Sequence, residues 1–165
     1  MSQKQALIAE LKMEAANTRK ILEKVPVDKN DWKPHQKSMS LGRLATHVAE
    51  VPGWVTKAMT TDELDFAKTE YKAHVAATNE ELVGILDKNL QEGVAALENA
   101  TDEDFEKMWT LRNGEQVYFT LPKKAVLRTF AYSHDIHHRA QLGVYLRLLD
   151  IPVPGMYGPT ADEPM

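Results

Sequence analysis

Cysteine is absent from this 165-residue chain. That absence removes a disulfide framework, a thiolate metal site and a cysteine nucleophile together. Missing too is any apolar run of the ~20 residues needed to span a bilayer. The opening residues, MSQKQALIAE, lack the apolar core of a secretory leader. Nor is there a surplus of positive charge: 20 Lys and Arg stand against 24 Asp and Glu, for a net charge of −4. The electrostatic footprint of a protein that tracks nucleic acid is therefore lacking. Internal repeats, low-complexity tracts and linkers are absent as well. Together these absences lead to the expectation of a soluble, cytoplasmic protein that binds neither nucleic acid nor membrane.

What is present is an ordinary globular balance, 43% hydrophobic and 27% charged. One domain over residues 1–165 is expected, since a chain of this size buries roughly 70% of its unfolded surface without staples. Ser2 and Gln5 make the S-x-x-Q capping box of a first helix. Its apolar residues, from Leu7, Ile8 and Leu11 to Ile21, Leu22 and Val25, share one face until Pro26 closes it. Val27 to Lys37 reads as a loop, with Trp32 packed onto the bundle. Ser38 or Ser40 caps a second helix with the stripe Leu41, Leu44, Ala45, Val48, Val51, Val55 and Ala58. Pro52 and Gly53 predict a kink or break within it, because proline lacks an N–H and crowds the preceding turn.

The acidic stretch TDELDF reads as a surface connection. Thr78 and Glu81 open a third helix carrying Leu82, Ile85, Leu86, Leu90, Val94 and Leu97. The period then changes: β-forming residues flank Arg112-Asn113-Gly114-Glu115, and Asn-Gly between such residues is a strong hairpin signal. Pro122 suits the first position of a fourth helix. Leu127, Phe130, Ala131, His134, His138, Gln141, Leu142, Tyr145, Leu148 and Leu149 form its apolar face, and the run from Ile151 to Gly155 ends it. The expected architecture is an all-α four-helix bundle with one small β-hairpin between helices 3 and 4.

Six histidines are the informative feature. His134 and His138 are four apart, so their rings stack one turn apart on one helical face. His47 lies between Leu44 and Val51 on the inward side of helix 2. One inward histidine is most often a hydrogen-bonded core residue. Three from two helices are harder to bury without a partner, and they predict a metal site. Three neutral imidazoles suit Zn²⁺, Ni²⁺ or Fe²⁺ and leave coordination positions open, which favours catalysis or substrate binding.

Competing motifs fare worse. His134-Asp135-Ile136-His137-His138 is one methylene short of the zinc-protease H-E-x-x-H, and Asp135 reaches poorly as a general base. A di-iron bundle wants E-x-x-H pairs, which helix 4 does not offer. Ser133-His134-Asp135 cannot act as a triad, since sequence neighbours on a helix do not face each other. His137 is offset from the ligand pair, and His35 and His74 fall in loops. Gln141 can orient a ring or a water. Arg139 either holds an acidic substrate beside the site or is a solvated helix residue. Trp32, Trp54 and Tyr157 either wall a pocket or serve as packing.

Several of these pieces resemble the DinB family of bacterial metal-binding four-helix bundles. They are DWKPHQKSMSLGRLATHVAEVPGW with His47, the hairpin region MWTLRNGEQ, and SHDIHHRAQLGVYLRLLDIPVPGMYGPTADE. The H-x-x-x-H-R-x-Q piece followed by P-G-x-Y-G-P-x-A-D is the specific part. The resemblance implies an up-down-down-up bundle with a divalent metal on His47, His134 and His138, and homodimers as a common state. It implies two function classes. One is a metal-dependent transferase that uses a low-molecular-weight thiol on a small electrophile, as in relatives that act with bacillithiol, mycothiol or glutathione. The other is a non-catalytic metal-binding stress-response or interaction protein. A metal-dependent hydrolase is a further alternative.

Overall fold

Ser2 caps the first helix as its spacing predicts. In a computed structural model, which describes residues 2–70 and 72–164, the Gln5 amide N–H donates to the Ser2 hydroxyl and the Ser2 N–H donates to Gln5 Oε1 at 2.9 Å. The helix, α1, runs Gln3–Leu22. Ser40 rather than Ser38 caps α2, Leu41–Glu50, by accepting from the Arg43 N–H. The stripe of α2 then breaks at Val51-Pro52 and resumes as α3, Gly53–Thr60, where proline has no N–H to continue the ladder. Thr78 accepts from the Glu81 N–H at 3.1 Å to start α4, Asn79–Glu98. The Glu81 carboxylate reaches one residue further back than a capping box requires, to the Ala77 N–H at 2.7 Å.

Helices dominate the fold, but it is not all-α, because it contains a small three-stranded sheet. Strands β2 (Met108–Asn113) and β3 (Gln116–Pro122) pair antiparallel, and Gly114 takes φ 59° in the turn between them. The third strand corrects the reading of TDELDF as a surface connection. Residues Glu63–Asp65 form β1, parallel to β2 with Glu63 opposite Thr110. Three residues are too short to show a period-2 pattern, and an acid in the buried position disguises them further. Asp65 is 5% exposed because its carboxylate accepts from the Gly114 and Ala67 N–H groups at 2.9 and 3.0 Å.

Pro122 belongs to the end of β3, and the last helical stretch begins one residue later. It comprises α5 (Lys123–Val126), a wider π turn (Leu127–Tyr132) and α6 (Ser133–Leu148) in unbroken succession. Helix α4 packs on α1, α2 and α3, and α6 packs on α1 and α2. Gly93 permits the approach of α4, since a Cβ there would lie 3.2 Å from Leu11 Cδ2 and 3.3 Å from Val55 Cβ. One apolar cluster gathers Ile21, Leu22, Leu41, Leu44, Val48, Leu86 and Leu146. A second, toward the sheet, gathers Leu7, Leu11, Val55, Phe105, Trp109 and Leu127. Trp32 packs against the first with its ring edge-on to Tyr145. Among the described residues, no helix is long and apolar enough to cross a membrane.

The buried face of α6 is turned by about a quarter of a circle from the one the apolar residues mark out, at about 100° per residue. Its buried residues are Asp135, Arg139, Leu142, Tyr145 and Leu146. His134, Gln141 and Leu148 lie along the edge of that face, and Leu148 is 57% exposed. The reason is chemical. Arg139 and Asp135 look like solvent residues in a sequence, yet they are 1% and 4% exposed.

Candidate metal centre

The rotation of α6 leaves His134 and His138 half-buried at the edge of the helix, where they meet His47 of α2. The His47 Nε2 and His134 Nε2 atoms are 3.2 Å apart. Ring centroids are separated by 5.0 Å for His47 and His134, 4.7 Å for His47 and His138, and 4.6 Å for His134 and His138. One ligand atom from each ring lies within 4.8 Å of the others.

In two of the three rings the other nitrogen is hydrogen-bonded. His134 Nδ1–H donates to the Phe130 carbonyl at 3.2 Å, on the π turn immediately before it. His138 Nδ1–H donates to Gln141 Oε1 at 2.7 Å. His47 Nδ1 faces the Glu50 carboxylate at 3.8 Å, and Glu50 in turn accepts from Arg43 at 2.9 Å. Hydrogen bonds on Nδ1 set the tautomer and leave the Nε2 lone pair free, the arrangement that orients metal-ligating histidines.

Two bare lone pairs at 3.2 Å repel each other unless a proton or a cation sits between them. Tetrahedral coordination at the usual Zn–N length of about 2.05 Å would bring two nitrogens to ~3.3 Å. The donor chemistry and the spacing both fit a divalent ion. Electrostatics agree. Burial, with the neighbouring His47 charge, lowers the His134 pKa. Burial also pushes His138 down to about 4, against the opposing effect of its hydrogen bond to Gln141. Both imidazoles are thus neutral, the form that binds metal. Burial pushes the Glu50 carboxyl up, but hydrogen bonds from His47 and Arg43 outweigh it and hold the group below its ordinary value.

Beside His47 opens a cleft of about 490 Å³. Trp54, Leu64 and Phe66 supply its apolar walls, and Glu50, Lys57 and Asn89 its polar ones. Of the three aromatic residues marked in the sequence, only Trp54 lines it. Trp32 is packing, and Tyr157 lies elsewhere, hydrogen-bonded to Glu14 at 2.5 Å. His35 is exposed and accepts from the Lys37 N–H of its own loop at 3.2 Å. His74 is exposed and pairs with Glu81. His137 is exposed as well, its ring 4.9 Å from that of His138. None of these three joins the cluster.

Gln141 orients a ligand ring, but Arg139 is neither beside the histidines nor in solvent. Its guanidinium donates to Asp135 Oδ2 at 2.8 Å, to Thr18 Oγ1 at 2.9 Å and to the Glu14 carbonyl at 2.9 Å. It also meets the Glu14 carboxylate and the Tyr157 hydroxyl. Arg139 therefore fastens α6 to α1 and to the C-terminal segment. Asp135, 4% exposed within this cluster, is not placed to serve as a base in the cleft. Glu50 and Lys57 were not marked as site residues by the sequence. The i, i+3 spacing of His47 and Glu50 was the signal available for the first.

The profile of the DinB family matches residues 1–164. Two solved structures share the fold. A DinB-like protein from Bacillus cereus superposes with a TM-score of 0.70 at 21% identity, covering 93% of this chain and 97% of that one. A DinB-like protein from Bacillus subtilis superposes with a TM-score of 0.69 at 20% identity, covering 92% and 97%. No curated protein matches the chain.

Proposed function

The chain belongs to the DinB family, and on that footing we propose that it is a metal-dependent transferase. Its divalent ion, zinc, nickel or iron, would be held by His47, His134 and His138, and its reaction would couple a low-molecular-weight thiol to a small electrophile. The observation that carries this reading is the convergence of three imidazoles, those of His134 and His138 held through Nδ1, with His47 lining a cleft of about 490 Å³. A divalent ion on neutral ligands supplies the Lewis acidity by which a thiol loses its proton near neutral pH.

The chain's own residues do the rest. Phe130, Gln141 and Glu50 hold the rings in register, so the donors keep their direction through a turnover. Trp54, Leu64 and Phe66 keep water from the apolar part of a bound molecule. With no cysteine in the chain, the thiol is external. A compact cleft suits a small molecule better than an extended peptide, and Asp135 is committed to Arg139, which weighs against the hydrolase alternative. An open cleft beside the histidines favours an enzyme over a binding module. The reading extends to a single four-helix-bundle domain in up-down-down-up order, acting as a cytoplasmic homodimer.

The test has two parts. Elemental analysis of protein purified without added metal should find one divalent ion per chain. Alanine at His47, His134 or His138 should abolish it, and alanine at His35 or His74 should not. The metal-replete protein should then couple at least one of bacillithiol, mycothiol and glutathione to 1-chloro-2,4-dinitrobenzene faster than its His134→Ala variant. Rates equal to that control for every thiol would overturn the transferase and leave a metal-binding module.

A further inference from the structure

Lys57 carries an unspent charge. It lies half-buried on α3 and lines the cleft beside the histidines, with its ammonium 5.9 Å from the centroid of the Trp54 ring. Among the described residues no carboxylate comes within ion-pair distance of it. Glu50, the carboxylate that lines the same cleft, is already held by Arg43 at 2.9 Å and faces His47 at 3.8 Å. Of the other polar groups of the lining, His47 belongs to the histidine cluster, Asn89 Nδ2 donates to the Ala49 carbonyl, and the Thr69 hydroxyl donates to that of Asp65. A partly buried lysine beside an aromatic wall, with no carboxylate within ion-pair distance, is a binding group for an anion.

We propose that Lys57 makes this cleft a subsite for a carboxylate, so that the class of molecule it takes is a small organic acid with an apolar or aromatic arm. The carboxylate meets Lys57 while the arm lies along Trp54 and Phe66. The break at Pro52 is what permits this. It ends α2 just after His47 and Glu50 and starts α3 afresh, so residues of both helices border one cavity. This inference deepens the proposed function and rests on its assignment of the cleft to substrate.

The experiment therefore leaves the metal out. Protein stripped by chelation, with metal loss confirmed by elemental analysis, is titrated by calorimetry with 3-phenylpropionate and with its neutral amide, 3-phenylpropionamide. The acid should bind about tenfold more tightly than the amide, the size of one charge-assisted contact at a partly exposed site. Lys57→Gln should erase that preference while leaving amide binding and the thermal midpoint in place, and Lys57→Arg should keep it. A lysine that merely shelters the indole would give equal affinities for both probes. That result, a preference surviving Lys57→Gln, or no saturable binding of either probe would overturn the proposal. Failure of the histidine variants to lose metal would refute the proposed function without touching this readout.

Discussion

Replacing Arg139 by methionine should destabilise the protein by about 3–5 kcal/mol, the usual loss when one partner of a buried ion pair is removed. The guanidinium is 1% exposed and stands between two carboxylates, Glu14 and Asp135, that are each 4% exposed. Methionine fills most of the volume but leaves both carboxylates without a cation, and the Thr18 hydroxyl and Glu14 carbonyl without the Nη1 donor. For a domain of this length the thermal midpoint should fall by roughly 10 °C, at 2–4 °C per kcal/mol.

The loss should also depend on pH. Burial pushes the Asp135 carboxyl up to about 7, with Arg139 pulling the other way. A group whose folded pKa exceeds its unfolded value of ~3.9 binds more protons when folded, so its contribution to stability falls as pH rises from about 4 toward 7. Without Arg139 the downward pull is gone, and the penalty at pH 8 should exceed that at pH 5.5. Urea unfolding followed by circular dichroism at both pH values measures this. Adding Glu14→Gln and Asp135→Asn to the Arg139→Met background should recover much of the loss at pH 8. A loss below about 1 kcal/mol, or equal losses at the two pH values, would refute the view that Arg139 holds two buried carboxylates in the fold.

Gln141→Leu should weaken Zn²⁺ binding by about 10–100-fold, because it frees the His138 ring while leaving the ligand in place; competition with a chromogenic chelator reads this directly. Zn²⁺ affinity should fall as pH drops, because protons compete with the ion for the three imidazoles. Affinity that stays flat from pH 7.5 to about 5, across the ordinary histidine value of ~6.5, would contradict a site made of histidines. Gly42→Ala should lower stability by about 1–3 kcal/mol, the range for overpacking. A Cβ at Gly42 would lie 2.6 Å from Asn30 Cγ and 2.7 Å from Val75 Cγ1. Displacing Asn30 would also break its bond to the Ala76 carbonyl, and chemical denaturation reports the result.

The site was more legible in the sequence than the surface that supports it. His47, His134 and His138 were found by helical spacing alone, because imidazoles recurring on one side of a helix leave a pattern. The break at Pro52 and the cap at Ser2 were equally plain, since each follows from the geometry of a single residue. Arg139 was misread, because periodicity assumes that charged residues face water, and here it occupies the buried face of α6 together with Asp135. Strand β1 was missed because its pairing with β2 is a long-range fact about Leu64 and Asp65, not a local one. Lys57 carried no signal at all. Its role depends on the absence of a partner, and only the folded arrangement displays that absence.

The helix that carries two of the three clustered histidines is fastened on the side away from them by Arg139 to α1 and to the C-terminal segment, while both of its histidine rings are pinned at Nδ1. Folding has therefore already met the entropy of arranging the donors, and little of it is left to be met when an ion arrives. With a divalent ion bound as proposed, such a site would act as a stiff chelator whose shape precedes its guest. Its preference among divalent ions would then be set by how well each accepts three nitrogens at fixed positions, and ions would be exchanged without the protein having to refold around them.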